Sequence, residues 1–221
     1  MRVLLFGATG MLGQGVLREC LLAPDVESVL AVGRSPLRER HGKLRELLAP
    51  DLFDLAPHAS ELSGYTACFF CLGVSSAGMS EAEYRHLTLD LTLSVADLVA
   101  RQNPGLTFVY VSGAGTDSTG RGRSMWARVK GETENALLRL PFKRAYLFRP
   151  GYIQPLHGAT SRTRSYRLAY AVLAPLYPLS RRLFPRLVTT TELVGRAMLA
   201  AARKGAPGPV LETPGINALA G

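Results

Sequence analysis

Three glycines near the amino terminus carry the clearest chemical pattern in the sequence. They are Gly7, Gly10 and Gly13, within the run GATGMLG. They follow an apolar segment at 3–6 that has the pattern of a buried strand, and they open a segment at 11–22 with helical periodicity. A glycine-rich turn between a strand and a helix lets main-chain N–H groups and the positive end of the helix dipole face an anion.

The spacing is GxxGxxG rather than GxGxxG, but we expect similar mechanics. Gly7 permits the sharp turn, Gly10 lets the backbone approach a pyrophosphate, and Gly13 lets the helix pack closely on the strand. The sequence therefore predicts a dinucleotide site whose turn contributes Gly7, Thr9, Gly10, Met11 and Gly13. A turn without a ligand is the alternative. No Gly-Lys-Ser/Thr follows, which argues against a P-loop nucleotide site.

The residues after the second predicted strand decide which dinucleotide is preferred. A site that prefers NAD usually has Asp or Glu there, to bind the ribose hydroxyls. This chain has Arg34, between Gly33 and Ser35. A guanidinium can pair with a 2′-phosphate in a planar, charge-assisted fork, so the sequence predicts a preference for NADP(H) over NAD(H). An exposed arginine in a basic protein is the alternative.

Two further stretches fit the same crevice. Asp54 follows a weak third strand predicted at 51–55, and we expect it to accept a hydrogen bond from the adenine amino group. Leu72 and Gly73 end the fourth predicted strand, where the ribose of the cofactor would pass. A solvated aspartate and an ordinary strand-terminating glycine are the alternatives.

The elements that must position these residues alternate between short apolar runs and amphipathic stretches. Strands are predicted at 3–6, 28–32, 66–72, 106–111 and 145–148, with a weaker one at 51–55 and a late one at 210–212. Helices are predicted at 11–22, 81–101, 124–140 and 191–204. Continuous apolar runs suit parallel strands covered on both faces. We therefore predict an α/β fold, a Rossmann-type doubly wound parallel sheet with a small C-terminal cap.

The composition supports one cofactor-binding domain over 1–221, with 151–190 as a small substrate or cap region. Hydrophobic residues make up 47% of the 221 residues and charged residues 19%, which allows a substantial core. The formal charge of +9 suits nucleic acid, anionic lipid or a phosphorylated small molecule. The basic residues are scattered and no nucleic-acid motif accompanies them, so we expect a small-molecule substrate and no nucleic acid.

The cysteines and the apolar runs predict a soluble, cytoplasmic protein, and we expect a monomer or a homodimer. No signal peptide is visible, because Met1 leads directly into an apolar strand. The apolar stretch at 168–179 is broken by prolines and is too short to span a bilayer. Cys68 and Cys71 are three apart in a predicted strand and so point to opposite faces, which argues against a disulfide or a shared metal. The four histidines also lack metal-ligand spacing.

Five motifs together resemble the short-chain dehydrogenase/reductase superfamily, in its atypical and extended branches. They are GATGMLG at 7–13, CLG at 71–73, YVS at 110–112, VKGETE at 129–134 and RPG at 149–151. The run VKGETE particularly resembles the Tat-interacting-protein-like group of small NADPH-binding proteins. The resemblance covers about residues 1–205 and is weakest in 151–190.

The resemblance implies a catalytic set of Ser and Tyr-x-x-x-Lys. In that set Tyr exchanges a proton with the substrate, Lys binds the nicotinamide ribose and lowers the Tyr pKa, and Ser orients the carbonyl. Ser112 matches the serine and Lys130 the lysine. The tyrosine position holds Trp126. An indole N–H donates a hydrogen bond but cannot exchange a proton near neutral pH.

Several alternatives to a tyrosine at position 126 stay open. Tyr152, just after the RPG motif, is the first candidate to reach the nicotinamide face, and Tyr84 and Tyr166 are further candidates. A water held by Ser112 would also relay a proton, or the cofactor would be bound without turnover. Packing is the other role for each tyrosine, and a solvated helix position is the other role for Lys130.

These residues predict an atypical NADPH-dependent oxidoreductase that acts on an unknown small carbonyl-type substrate. The alternative is a non-catalytic NADPH-binding redox sensor or regulatory protein. Trp126 favours the sensor, and the retained Ser112 and Lys130 favour the enzyme. Nucleotide-sugar epimerase or dehydratase chemistry is a third reading, for which about seventy residues beyond Gly151 leave little room. An arginine-rich stretch at 161–186 would favour an anionic substrate group.

Overall fold

The computed structural model describes residues 1–160 and 186–221. The strands are β1 (Arg2–Phe6), β2 (Ser28–Gly33), β3 (Leu44–Leu48), β4 (Ala67–Phe70), β5 (Thr107–Val111), β6 (Arg144–Arg149), β7 (Tyr152–Gln154), β8 (Val188–Thr190) and β9 (Val210–Glu212). The helices are α1 (Met11–Leu22), α2 (Glu81–Arg85), α3 (Leu91–Gln102), α4 (Met125–Leu137), α5 (Thr191–Lys204) and α6 (Thr213–Ala220), with a π-helical segment at His86–Asp90 and a 3₁₀ turn at Ala56–His58.

Seven of the described strands form one parallel sheet in the order β3-β2-β1-β4-β5-β6-β9. The chain winds outward from β1 in one direction to β3 and then in the other direction to β9, which is the doubly wound arrangement. The predicted Rossmann-type fold is therefore confirmed.

The sheet is covered on both faces because alternate residues of each strand point to opposite sides. Val3 and Leu5 of β1 pack on one side with α1, α5 and α6. Leu4 and Phe6 pack on the other side with α3 and the end of α4. Two apolar layers therefore hold the carboxyl ends of the strands in fixed positions.

Glycines allow α1 and α5 to approach each other closely. A Cβ atom added at Gly15 of α1 would lie 2.5 Å from the Cβ of Thr191, the first residue of α5. A Cβ added at Gly195 of α5 would lie 2.8 Å from the Cγ of Glu19. The side chain of Thr190 caps α5 by accepting a hydrogen bond from the N–H of Leu193, as expected for the predicted helix at 191–204. The start of α5 is thereby fixed against α1.

Two predicted elements differ from the structure. The third strand is β3, at Leu44–Leu48, so its placement at 51–55 is wrong. The predicted helix at 81–101 is divided into α2, the π-helical segment and α3. Leu87 lies in the π-helical segment and is 37% exposed. The other strands and helices predicted for the described residues are present, with shifts of a few residues at their ends.

The region predicted to form a cap is described only at its two ends. Strands β7 and β8 pair in parallel, so residues 152–154 and 188–190 lie side by side. The apolar stretch at 168–179, the candidate Tyr166 and most of the arginine-rich stretch lie outside the described residues.

The cysteines occupy the positions that the strand pattern predicts. Cys68 is buried among the side chains on the α3 face, whereas Cys71 is half-buried against the α1 face. All three cysteines are free thiols. Among the described residues, no helix has the length and apolar character to cross a membrane.

Candidate functional site

A cavity of about 360 Å³ opens at the carboxyl ends of β1, β2 and β4. Its lining includes the glycine turn at 7–10, the end of β2 with residues 33–35, the segment 50–53 and the end of β4 at 71–74. It lies between β1 and β4, where the direction of winding reverses. This switch point is where open α/β sheets bind dinucleotides.

The glycine turn has the geometry expected of a main-chain cradle. Gly7 has φ +83°, and a Cβ there would lie 2.7 Å from the carbonyl carbon of Cys71. A Cβ at Gly13 would lie only 2.0 Å from the carbonyl oxygen of Gly7, so α1 packs directly on the turn. The N-cap residue Gly10 offers no side-chain hydrogen bond to the first N–H groups of α1. Those groups have no intrahelical acceptor and are available to an anion.

Arg34 lies at the edge of the cavity, directly after β2. Its side chain is exposed, and within the described residues it has no hydrogen bond or ion pair. The neighbouring Glu46 is already engaged, because its carboxylate accepts the N–H of Leu37 at 2.7 Å and pairs with Arg40. The guanidinium of Arg34 therefore remains available to a negative group of a ligand.

The structure places Asp51, rather than Asp54, in the cavity wall. This follows from the position of β3, since the loop after that strand begins before the predicted strand at 51–55. Asp51 Oδ1 accepts the N–H of Phe53 at 2.8 Å, which fixes the carboxylate in the loop. The Phe53 ring also lines the cavity and stacks on the His86 ring at 4.5 Å. Asp54 is exposed and is not among the lining residues.

Lys130 extends from α4 toward the end of β5, where its Nζ donates a hydrogen bond to the carbonyl oxygen of Ser112. A space of about 10 Å³ beside Lys130 is lined by Leu72, Gly73 and Tyr84, among others. Leu72 and Gly73 also line the cavity above the glycine turn, so Lys130 lies at the inner end of that cavity. Burial lowers the pKa of Lys130 to about 8, against the opposing effect of the Glu134 carboxylate.

The hydroxyl group of Ser112 is turned into the protein. Ser112 is 8% exposed, and its Oγ donates to Glu134 Oε1 at 2.6 Å and lies 3.2 Å from the carbonyl oxygen of Phe148. A serine hydroxyl has a single hydrogen. Donation to a buried carboxylate leaves no hydrogen with which Ser112 could orient a substrate carbonyl in this conformation.

Trp126 packs in the first turn of α4, four residues before Lys130. Its ring contacts a small apolar cluster that includes Tyr84 and Val129. A Cβ at Gly115 would lie 3.6 Å from the edge of the indole. The indole therefore occupies the space between α2 and the loop after β5.

The candidate tyrosines differ in their surroundings. Tyr152 is half-buried, its hydroxyl donates to Gln154 Oε1 at 2.8 Å, and burial raises its pKa. Tyr152 lines neither the cavity above the glycine turn nor the space beside Lys130. Tyr84 does line that space, but it is only 2% exposed, and burial raises its pKa while a hydrogen bond to Thr88 opposes the rise. Geometry thus brings Tyr84, and not Tyr152, next to Lys130.

Two residues that the sequence patterns did not single out contribute to this end of the site. Glu134 is fully buried, and Arg149 Nε donates to its Oε1 at 3.0 Å. The sequence did contain a signal for Glu134, since this residue follows Lys130 by four positions, about one helical turn, and so lies on the same face of α4. The partner Arg149 is the first residue of the RPG motif.

No protein-family model matches the chain. Curated relatives do match it. The chain is 30% identical over 158 residues to "Protein fmp52, mitochondrial" of Emericella nidulans, which covers 68% of this chain and 66% of the relative. It is 27% identical over 154 residues to "Protein HTATIP2" of Rattus norvegicus, which covers 68% of this chain and 62% of the relative. The matched part thus spans somewhat less than two thirds of these relatives.

Solved structures share the fold. The Bordetella bronchiseptica enzyme WbmF in complex with NAD⁺ superposes with a TM-score of 0.69 at 18% identity, covering 99% of this chain and 76% of that enzyme. Uronate dehydrogenase from Agrobacterium tumefaciens superposes with a TM-score of 0.65 at 20% identity, covering 95% of this chain and 75% of that enzyme. The chain thus has the fold of these two enzymes.

The relatives correct one expectation from the sequence. The fungal proteins that match the chain are named mitochondrial, which contradicts the predicted cytoplasmic location.

Proposed function

We propose that the chain, which is related to the fmp52 and HTATIP2 proteins, is an atypical member of the short-chain dehydrogenase/reductase superfamily and binds NADP(H) in the cavity above the glycine turn. The observation that carries the proposal is the lining of that cavity. One concave surface at the switch point of the sheet joins the N-terminus of α1, the end of β2 with Arg34, and the end of β4. These are the parts that a dinucleotide requires for its pyrophosphate, adenosine ribose and second ribose.

The proposed contacts follow the cavity wall. Gly7, Thr9, Gly10, Met11 and Gly13 would hold the pyrophosphate through main-chain groups, and Leu72 and Gly73 would face the second ribose. Lys130 would bind ribose hydroxyls through its ammonium group. Asp51 is better placed than Asp54 to accept the adenine amino group, because only Asp51 lines the cavity.

The preference for NADP(H) rests on Arg34, whose guanidinium is exposed at the cavity edge. We expect Arg34→Ala to weaken NADPH binding by about 10- to 100-fold, the range for loss of charge-assisted hydrogen bonds. NADH binding should change far less. The matched control is Arg45→Ala, which removes the same charge from the exposed face of the neighbouring β3. Equal losses for the two cofactors in Arg34→Ala would contradict the assignment.

We propose that the protein is an oxidoreductase for a small carbonyl-type substrate, with a proton donor other than residue 126. A bound nicotinamide would supply or accept the hydride. The protein would supply the proton, for which Tyr152 and Tyr84 are the candidates. NADPH oxidation with a panel of carbonyl compounds tests this, using the native chain, Tyr152→Phe and Tyr84→Phe. Native turnover that survives both substitutions would rule out both tyrosines.

A second function, a redox sensor that binds NADPH without turnover, is favoured by the Ser112 hydroxyl. That hydroxyl donates to Glu134 rather than facing the cavity, and Trp126 replaces the usual acid. If the protein is a sensor, the native chain should bind NADPH but consume none with any carbonyl compound. Turnover that appears only in Trp126→Tyr would support a binder that has lost its acid.

We also propose one cofactor-binding domain over 1–221, with 151–190 as a cap. The pairing of β7 with β8 supports this, because it places the two ends of the cap region side by side. The names of the fungal relatives support a mitochondrial location.

A further inference from the structure

A buried ionic cluster lies beneath the inner end of the cavity. Glu134 on α4 is 0% exposed, and its carboxylate accepts hydrogen bonds from Ser112 Oγ at 2.6 Å and from Arg149 Nε at 3.0 Å. Arg149 Nη2 also pairs with Glu134 Oε2, and Ser118 Oγ lies 3.4 Å from the same oxygen. A carboxylate is buried without a large penalty only when it is paired in this way.

The cluster and Lys130 hold Ser112 by its hydroxyl group and its carbonyl oxygen. The hydroxyl donates to Glu134, and the carbonyl oxygen accepts from the ammonium group of Lys130. Ser112 therefore connects the buried carboxylate to the lysine. Lys130 and Glu134 are also one helical turn apart on α4, which places their charges on the same side of the helix.

We infer that Glu134, clamped by Arg149, is the positioning residue for the nicotinamide end of the site: it fixes the Ser112 hydroxyl inside the protein and keeps a negative charge beside Lys130. Glu134 touches neither the cavity wall nor the space beside Lys130, so it acts through these two residues. The inference rests on the proposed function in one respect, the binding of the cofactor by Lys130. The contacts of Glu134 do not depend on that function.

Among the residues that the structure describes, few other charges face Lys130. On its own helix the facing charge is Glu134, whose carboxylate raises the lysine pKa against the effect of burial. From α2 and β5 the facing titratable groups are Tyr84 and Tyr110, and burial raises the pKa of both phenols, so they stay neutral where Lys130 titrates. The positive charge of Arg149 is balanced by Glu134 and by Glu212 at 3.5 Å.

The sign of the expected effect follows from these charges. The ammonium form of Lys130 donates hydrogen bonds, and its pKa is about 8. Glu134→Gln removes the charge that supports this form, so Lys130 should lose its proton at lower pH. Glu134 is the charge that raises the pKa of Lys130, and a nearby opposite charge typically changes a pKa by about 1 unit or more.

The experiment measures the ionisation of Lys130 in the cofactor-free protein. The ¹³Cε signal of Lys130, assigned by comparison with Lys130→Met, is followed through a pH titration of the full chain. In Glu134→Gln the midpoint should fall by about 1 pH unit. The matched control is Glu212→Gln, which changes the exposed carboxylate on the same arginine and should leave the midpoint unchanged. Glu134→Asp, which keeps the charge, should retain most of the native midpoint.

NADPH affinity measured over the same pH range separates the two proposals. Affinity should decline above pH 8 in the native chain and at lower pH in Glu134→Gln. A shifted lysine midpoint without any NADPH binding would refute the proposed function and leave the role of Glu134 intact. Identical lysine midpoints in the native chain and Glu134→Gln would overturn the inference.

Glu134→Gln removes the buried carboxylate that pairs with Arg149, so this variant could fail to fold. A second variant covers that case. The double variant Glu134→Gln/Arg149→Met removes both charges, and replacing both members of a buried pair is often tolerated. Its Lys130 midpoint should fall by less than in Glu134→Gln, because the loss of the Arg149 charge acts in the opposite direction while Glu134 is the charge that raises the lysine pKa. A native midpoint in the double variant would overturn the inference.

Discussion

Replacing Gly13 by alanine tests whether α1 really packs on the glycine turn. The new Cβ would lie 2.0 Å from the carbonyl oxygen of Gly7 and 2.9 Å from the Cα of Ala8. Side-chain Cβ atoms do not approach other atoms within 3.0 Å, so the start of α1 must move by about 1 Å relative to the turn. Both contacts are with backbone, which cannot rotate out of the way as a side chain can.

The expected magnitude combines two opposing effects. Overpacking against backbone costs about 3 kcal/mol, and alanine inside a helix returns about 1 kcal/mol relative to glycine. The net destabilisation of about 2 kcal/mol should lower the Tm by about 4–8 °C in a chain of this size. NADPH affinity should fall by at least about tenfold, because the N–H groups at the start of α1 are displaced from the pyrophosphate position.

The assay pairs thermal unfolding with fluorescence, since Trp126 is the single tryptophan of the sequence and packs against the cluster that contains Tyr84, which lines the space beside Lys130. Binding of NADPH should quench its emission by energy transfer. The matched control is Gly105→Ala, where a Cβ meets nothing within 4 Å and φ is not positive. It should alter stability by less than about 1 kcal/mol. If Gly13→Ala were as stable as this control and bound NADPH normally, the close packing described here would be refuted.

Three further predictions concern other parts of the molecule. Asp51→Ala should weaken NADPH binding about 5- to 10-fold while Asp54→Ala leaves the affinity unchanged in the same titration; the reverse ranking would restore the sequence-based assignment. The three cysteines should resist alkylation at pH 8 in the folded protein and react fully after unfolding, because burial raises the pKa of each thiol; rapid labelling of the folded chain would contradict this. Gln14 holds Thr160 by two hydrogen bonds of 3.2 Å, so Gln14→Leu should speed amide exchange at Thr160 about tenfold, and an unchanged rate would show that these bonds do not hold the segment.

The central strands could be predicted because each is covered on both faces and so consists of continuous apolar residues. The third strand could not be placed in this way. Segment 44–48 reads LRELL and lies at the edge of the sheet, where only part of the strand is buried. Segment 51–55 reads DLFDL and has as many apolar residues, because Leu52 and Leu55 enter the core from a loop. Apolar content reports burial, and burial alone does not separate an edge strand from a loop that folds over the core.

The position of the third strand also bears on the candidate site. Placing the strand too late moved the expected adenine contact to Asp54, whereas the turn after β3 brings Asp51 to the cavity. The glycine turn and Arg34 were predicted at the correct edge because both follow strands whose ends the apolar pattern defines well. Contacts made across elements, such as that of Glu134 with Arg149, depend on how α4 packs against β6 and leave no local pattern.

The two departures at the inner end of the site reinforce each other. Trp126 removes the group that would exchange a proton, and the donation of the Ser112 hydroxyl to Glu134 removes the group that would orient a carbonyl. Restoring tyrosine at position 126 alone would therefore leave a substrate carbonyl without a serine donor. Turnover in Trp126→Tyr requires that Ser112 can leave Glu134, at the cost of one of the two hydrogen bonds that Glu134 Oε1 accepts, the other being from Arg149 Nε. Activity in this variant would thus show that the serine reorients, whereas continued NADPH binding without activity would show that the buried cluster, as well as the indole, keeps the site from turning over.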